Sequence, residues 1–299
     1  MFNRPDLVKQ TFPKIKEMKP KYLFLASDGP RKENKEDLQK CAECRKWVLA
    51  QIDWDCEIQT LFQDENLGCG LAVSGAITWF FEHVEMGIIL EDDCIAEISF
   101  FSYAQQILTK YKKVKSIYGV TGLNWQDGKN RGSNSYYFSS FPGIWGWGTW
   151  KDRWQKFVLH PNDVKGFIKS KVFNQHLENP HFKKILIDGF NQIGTNDSWG
   201  YSWRLAVFKE QGKIVVPNVN LITNIGFSSE GTHTKFQNDR FGSVSTDSIK
   251  FPLKHPNTIE INKEADFYQL NRHFTKKTFL QKLKNLFIKL YHMLFLIIL

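Results

Sequence analysis

No second cysteine pair accompanies Cys41-Ala42-Glu43-Cys44, and no histidines follow it at ligand spacing. A structural zinc site needs four such ligands, so this lone C-x-x-C predicts none. It lies in a polar, helix-like stretch and not directly after a strand, which also argues against a redox pair. Cys56, Cys69 and Cys94 bring the total to an odd five, and all five read as ordinary reduced thiols. An apolar leader is missing too: Met1-Phe2 runs straight into Asn3-Arg4-Pro5. Without one, the chain is expected in the cytosol. No uninterrupted apolar run approaches the roughly 20 residues of a membrane span. Internal repeats and low-complexity linkers are absent, and so is any basic groove interleaved with aromatics, which leaves nucleic acid out as a partner.

What the chain does have is aromatic side chains and unevenly placed charge. Its 299 residues include 10 Trp and 25 Phe, enough for a ring-lined cleft as well as a core. The net charge is +9, but residues 276–299 hold five lysines and no acid, leaving +4 for everything before them. Apolar runs alternate with helix-like stretches. Residues 5–18 read as an amphipathic helix opened by Pro5, 22–26 as a strand, 33–50 as a charged helix and 56–62 as a second strand. A helix near 70–82 and a strand at 87–90 follow. This spacing predicts an α/β fold with a mixed, mainly parallel sheet flanked by helices.

The most informative stretch is Ile88-Ile89-Leu90-Glu91-Asp92-Asp93. The apolar half reads as a strand covered on both faces, and it stops at three adjacent carboxylates. Three acids at one strand tip repel one another and lose hydration, which costs several kcal/mol unless a cation or a ligand network compensates. In open α/β sheets ligands bind beyond the carboxyl ends of the strands. The pattern therefore points to a divalent metal at a substrate crevice. The plain alternative is a helix N-cap at Asp92 or Asp93, opening a helix from Ile95 to Ile107.

Further on, 117–122, 136–140 and 213–217 read as strands. Between them Phe141-Pro142-Gly143-Ile144-Trp145-Gly146-Trp147-Gly148-Thr149-Trp150 mixes glycine and tryptophan. Glycines permit close approach and indoles offer flat faces, so Trp147 and Trp150 are expected to form a carbohydrate platform; a turn packed on the core is the alternative. Thr195-Asn196-Asp197-Ser198-Trp199 opens a helix running to Lys209, and 221–235 is a strand that enters a polar glycine loop.

Taken in order, Asn3-Arg4-Pro5, Ser27-Asp28-Gly29, Glu91-Asp92-Asp93, Phe141-Pro142-Gly143, Asn196-Asp197-Ser198-Trp199 and Asn224-Ile225-Gly226-Phe227 resemble the nucleotide-sugar glycosyltransferases of the GT-A (Rossmann-like) fold. The likeness is to bacterial nucleotide-diphospho-sugar transferases of the N-acetylglucosaminyltransferase I type, over roughly residues 2–235. It implies a GT-A domain over 1–255, with a nucleotide half to about residue 93 and an acceptor half from 94, and a tail over 256–299. It implies Asp93 as ligand to Mn²⁺ or Mg²⁺, with Glu91 and Asp92 orienting ribose and sugar. Asp28 matches the carboxylate that meets the nucleotide base, and Arg4 a basic residue that reaches the diphosphate; a surface arginine is the alternative for Arg4. Asp197 matches the catalytic base, although a helix-start aspartate is commonly an N-cap. His233 matches a contact to metal or phosphate, or is a structural loop histidine. The implied donor is a nucleotide-diphosphate sugar, UDP by default, and the implied reaction an inverting displacement without a covalent intermediate. One departure stands out: family members carry an apolar first strand where this chain has Met1-Phe2.

Residues 276–299 carry an apolar stripe at Phe279, Leu283, Leu286, Phe287 and Leu290, flanked by Lys282 and Lys289. A basic amphipathic helix of this kind suits the plane of an anionic membrane surface, at about 1 kcal/mol per lysine, or docks on the catalytic body or a second copy. Membrane attachment fits a glycan or lipid-linked acceptor in surface polysaccharide synthesis. Two rival classes share the sheet. A sugar nucleotidyltransferase wants a glycine-rich basic loop where this chain has Asn3-Arg4-Pro5, and a non-catalytic, membrane-associated nucleotide-sugar binding protein would neither hydrolyse nor transfer.

Overall fold

A computed structural model describes residues 1–175, 180–227 and 244–274. His233, the glycine loop around it and the basic tail at 276–299 lie outside the described residues. The chain begins α1 (Pro5–Met18), β1 (Tyr22–Ser27), α2 (Lys35–Ala50), β2 (Glu57–Phe62), α3 (Cys69–His83), β3 (Met86–Ile89) and β4 (Cys94–Ala96). It continues α4 (Ser99–Tyr111), β5 (Ile117–Thr121), β6 (Tyr136–Ser139), β7 (Trp147–Trp150), α5 (Lys151–Trp154), α6 (Val164–Lys169), α7 (Lys171–Gln175) and α8 (Pro180–Phe190). Last come α9 (Gly200–Lys209), β8 (Lys213–Pro217), β9 (Ile222–Asn224) and α10 (Lys263–Phe274). No helix among the described residues is long and apolar enough to cross a membrane.

The α/β alternation holds through β3, and the helices start where local chemistry says they should. Pro5 occupies the first turn of α1, where its missing N–H costs nothing. Asn34 caps α2 by accepting from the Glu36 N–H at 3.1 Å. The central sheet runs β3-β7-β5-β8-β6, with β1-β2 and β4-β9 as separate two-stranded pairs. Only β1-β2 and β5-β8 pair in parallel; the other ladders are antiparallel. The sheet is therefore mixed and not mainly parallel. The reason lies between Thr121 and Trp147, where no helix intervenes and the chain can only fold back on itself.

Two further expectations change. The strand that ends at the acids is at an edge of its sheet, and Met86 to Ile89 are each only partly buried. Both faces are covered instead in β5, where Ile117 to Thr121 are all buried. The acids do not cap a helix either: β4 follows them, and α4 begins only at Ser99, whose N–H donates to Glu97 at 2.8 Å. At the opposite end, Met1 meets β1 as a strand residue would. Its amino group donates to the Ala26 carbonyl at 2.9 Å, and its carbonyl accepts from the Asp28 N–H at 3.1 Å, the parallel pairing pattern opposite Ser27.

The five-stranded sheet separates two apolar layers. One packs Phe100, Tyr103 and Ile107 of α4 against Tyr136, Phe138 and Trp150. The other gathers Trp147, Trp154, Trp199 and Trp203 with Tyr118 and Tyr137. Trp147 and Trp150 are each only 2 % exposed and belong to opposite layers, because residues three apart on a strand face opposite ways. They are core side chains, and the expected carbohydrate platform is not formed by them.

Helix α10 lies in the stretch read as tail and docks on this body. Its Asp266 accepts hydrogen bonds from both hydroxyls of Ser139 and Ser140 and from the Ser140 N–H. Burial outweighs these donors and raises the Asp266 pKa from 3.8 to about 6. A carboxyl with a higher pKa folded than unfolded holds its proton more tightly in the native state. Its contribution to stability is full below the unfolded value and is lost as pH rises through about 6. Urea midpoints measured between about pH 4 and pH 7 should therefore fall less steeply for Asp266→Asn than for the wild type; equal slopes would contradict this assignment.

Candidate active site

Arg4 sits immediately before α1, and its carbonyl accepts from the Leu7 and Val8 N–H groups, which starts the helix. The side chain turns the other way, to the tip of β3. Its Nη2 donates to Asp92 Oδ1 and its Nη1 reaches Asp93 Oδ2 at 3.1 Å. Burial alone would lower the guanidinium pKa, but Asp92 and Asp93 more than reverse it. The Phe2 N–H adds a bond to Asp92 Oδ2 at 3.1 Å, and Asn224 of β9 donates to Asp93 Oδ1, also at 3.1 Å. A Cβ on Gly226 would stand 2.2 Å from Asp93 Oδ2, so that main chain closes over the carboxylate. The acidic tip is thus compensated by an arginine from the chain's first turn, a cation built into the fold.

Glu91 is the exception. No described residue donates a hydrogen bond to its carboxyl or pairs with it. Burial, then repulsion from Asp93 and Asp92, push its pKa up to about 8. Among the described residues no group of three or more His, Cys, Asp or Glu side chains forms a ready-made metal cage. An orphaned, crowded carboxyl beside two others nevertheless suits a hard cation that keeps waters and takes further oxygens from a substrate. The donor set fits Mn²⁺ or Mg²⁺ in that sense, with Glu91 free and Asp93 available if Arg4 withdraws.

Asp28, at the end of β1, organises the loop before α3. Its Oδ1 accepts from the Gly29 and Leu67 N–H groups at 2.8 and 2.9 Å, and its Oδ2 from Asn66 Nδ2 at 2.8 Å. Arg45 of α2 supports the same corner, donating to the Asp28 and Gln63 carbonyls at 2.9 and 2.6 Å. That loop delivers α3, whose N-cap Gly68 has no side chain to satisfy the first amides. Asp197 satisfies them from far along the chain. Its Oδ2 accepts from the Cys69 N–H at 2.6 Å and its Oδ1 from the Gly70 N–H at 2.7 Å. A carboxylate at a helix N-terminus is favoured by the free N–H groups and the helix dipole. Gly68 has φ of 80°, and a Cβ there or on Gly70 would stand 2.6 or 2.7 Å from the Asp197 oxygens. Both positions must be glycine for Asp197 to seat. Asp197 is not the N-cap of its own helix; that place in α9 belongs to Trp199.

Cys69, half-buried, stands among these groups. Burial first, then Glu91, Asp197 and Asp28, push its thiol up to about 12, and Arg4 opposes them. Arg4, Asp28, Glu91 and Asp197, drawn from four separate parts of the sequence, therefore all act electrostatically on one thiol at the start of α3. The structure brings Arg4, Asp92 and Asp93 into contact and gathers Asp28, Glu91 and Asp197 nearby. It leaves Trp147 and Trp150 in the core, and His233 falls outside the described residues. Cys69 and Arg45 were not singled out from the sequence. For Cys69 the available signal was its place after Glu65-Asn66-Leu67-Gly68 at a helix start; for Arg45 there was none.

Removing one partner of a largely buried ion pair leaves the other charge uncompensated, a loss of about 3–5 kcal/mol. Arg4→Met and Asp92→Asn should each lower unfolding free energy by about that much in urea titrations. The double variant should lose less than the sum of the two, by about 1–3 kcal/mol. Additive losses would show that the two side chains do not act on each other.

No protein-family model matches this chain, and no curated protein matches it.

Proposed function

We propose that this chain is a glycosyltransferase that moves a sugar from a nucleotide-diphosphate sugar, UDP-linked by default, to a hydroxyl of a glycan or lipid-linked acceptor. The observation that carries the reading is the gathering of Arg4, Asp28, Glu91 and Asp197 around Cys69, at the end of β1, the tip of β3 and the start of α3. Strand ends and helix starts are where α/β sheets bind anionic nucleotides. The resemblance in residue order supports the same reading, with a GT-A architecture as its finer form.

Each residue then has a task. Asp28 holds the loop at Asn66 and Leu67 against which the base rests. Arg4 exchanges part of its grip on Asp92 and Asp93 for the diphosphate, which a fixed fork of donors suits. Asp197 takes the proton of the acceptor hydroxyl as that oxygen attacks the anomeric carbon from the face opposite the nucleotide. The α3 amides fix its orientation, and each oxygen keeps a lone pair for the acceptor. Asp93, with Glu91 beside it, would hold Mn²⁺ or Mg²⁺; when bound, such an ion neutralises charge that grows on the diphosphate leaving group. Attack by the acceptor oxygen forms the new glycosidic bond as the bond to the diphosphate breaks, so the configuration inverts and no enzyme-bound sugar forms. The residues at 276–299 give the proposed attachment to the inner membrane face, where a lipid-linked acceptor for surface polysaccharide would lie.

Transfer to a glycan or glycolipid acceptor, or slow donor hydrolysis, tests the reading. Asp197→Asn should lower kcat by about 10²- to 10⁴-fold with little change in donor KM, the usual weight of a general base. An unchanged rate under saturating donor would remove Asp197 from the chemistry.

A further inference from the structure

The chain carries seven arginines among the described residues, and six of them hold an oxygen acceptor. Arg4, Arg31, Arg131, Arg153 and Arg272 each hold a carboxylate, and Arg45 holds two main-chain carbonyls. Arg204, in the middle of α9, holds none. Its Nε is buried and has no hydrogen-bond partner. Burial lowers its pKa, and its electrostatic neighbour is the phenol of Tyr201, not an acid. An arginine does not shed its proton in a protein, so this side chain stays charged, partly dehydrated and, among the described residues, unpaired.

The surroundings give this charge a place to act. Gly200, one turn earlier on the same face of α9, approaches Ile144, with a Cβ there 3.0 Å from Ile144 Cδ1. Tyr201 lies against Gly189 of α8. Arg204 thus belongs to the face of α9 between α8 and the Phe141–Gly146 loop, on the helix that Asp197 precedes by three residues. The loop passes Leu90, since a Cβ on Gly146 would stand 3.4 Å from Leu90 Cδ2, and so adjoins the acidic tip.

We infer that Arg204 is an oxyanion-binding residue. Resting on the transfer reading above, it takes a phosphate or carboxylate carried by the acceptor, which makes the acceptor an anionic glycan or a phosphate-linked lipid. A guanidinium fork matches either group with two parallel hydrogen bonds.

The test is a thermal-shift titration of the full chain and of Arg204→Gln with methyl phosphate in one arm and methyl glucuronide in the other. One of the two raises the wild-type Tm saturably by mass action, which also tells phosphate from carboxylate, and Arg204→Gln loses that shift. Without ligand, Arg204→Gln keeps about the stability of the wild type, because no acceptor among the described residues loses its partner with the guanidinium. Equal shifts in both proteins, or no response to either anion short of bulk-salt effects, overturn the inference. If Arg204→Gln does not fold, Arg204→Lys keeps the charge and loses the fork. Its apparent affinity should fall at least about tenfold, and an unchanged affinity overturns the inference too. A UDP-sugar titration beside these separates the two readings. A wild type that answers the anion but no nucleotide sugar loses the transferase reading and keeps the oxyanion site.

Discussion

The contact of Arg4 with Asp92 and Asp93 makes the rest of the arrangement possible. An exposed strand tip with three adjacent acids would repel itself apart in water and far more strongly under a protein roof. One guanidinium from the chain's first turn compensates two of them and fixes α1 beside the end of β3. The compensation is incomplete. Glu91 is left over, crowded and without a donor among the described residues, and burial first, then repulsion from Asp93 and Asp92, raises its pKa. Under the proposed function, that repulsion is what a bound cation would relieve.

The same economy of contacts appears at the start of α3. Helix N-terminal amides attract anions, and here an aspartate from the far half of the chain already occupies them. Asp28 is likewise saturated by the loop that leads into α3. Every feature that would greet a nucleotide diphosphate is satisfied by the protein itself. Under the proposed function, binding would mean exchange: Arg4 would loosen from the acids, and a diphosphate would compete with carboxylates for positive charge. The internal contacts, Arg4 on Asp92 and Asp93, and Asp197 on the α3 amides, offset the repulsion of the acids without a ligand.

Much of this was legible in the sequence because it rests on local rules. An apolar run that ends in Glu91-Asp92-Asp93 calls for a compensating group, which the fold supplies in Arg4, and the alternation from residue 5 to residue 90 follows from helix and strand periodicity. The rest depended on contacts that no local pattern records. The plain alternative for Asp197 was the cap of its own helix, whereas it caps α3 from 127 residues away. The sheet is mixed, as expected, but not mainly parallel: the first half of the chain alternates strand and helix, whereas the helix-free stretch between β5 and β7 forces antiparallel returns. The tryptophan platform failed for a reason that was available. A two-residue strand period sends Trp147 and Trp150 to opposite faces, and glycine between large rings signalled close strand packing, not an open cleft. Arg204 gave no sign at all, since an arginine in a helix is unremarkable until its partners are sought and not found.

The most direct test of the central claim, that Arg4, Asp28, Glu91–Asp93 and Asp197 form one donor site, is amide hydrogen exchange with and without a UDP-sugar and Mn²⁺. Exchange should slow in two places together, residues 1–8 and residues 63–72, because Arg4 and the loop before α3 meet the same ligand. Protection confined to one of these segments, or found only elsewhere while the ligand is bound, would contradict it.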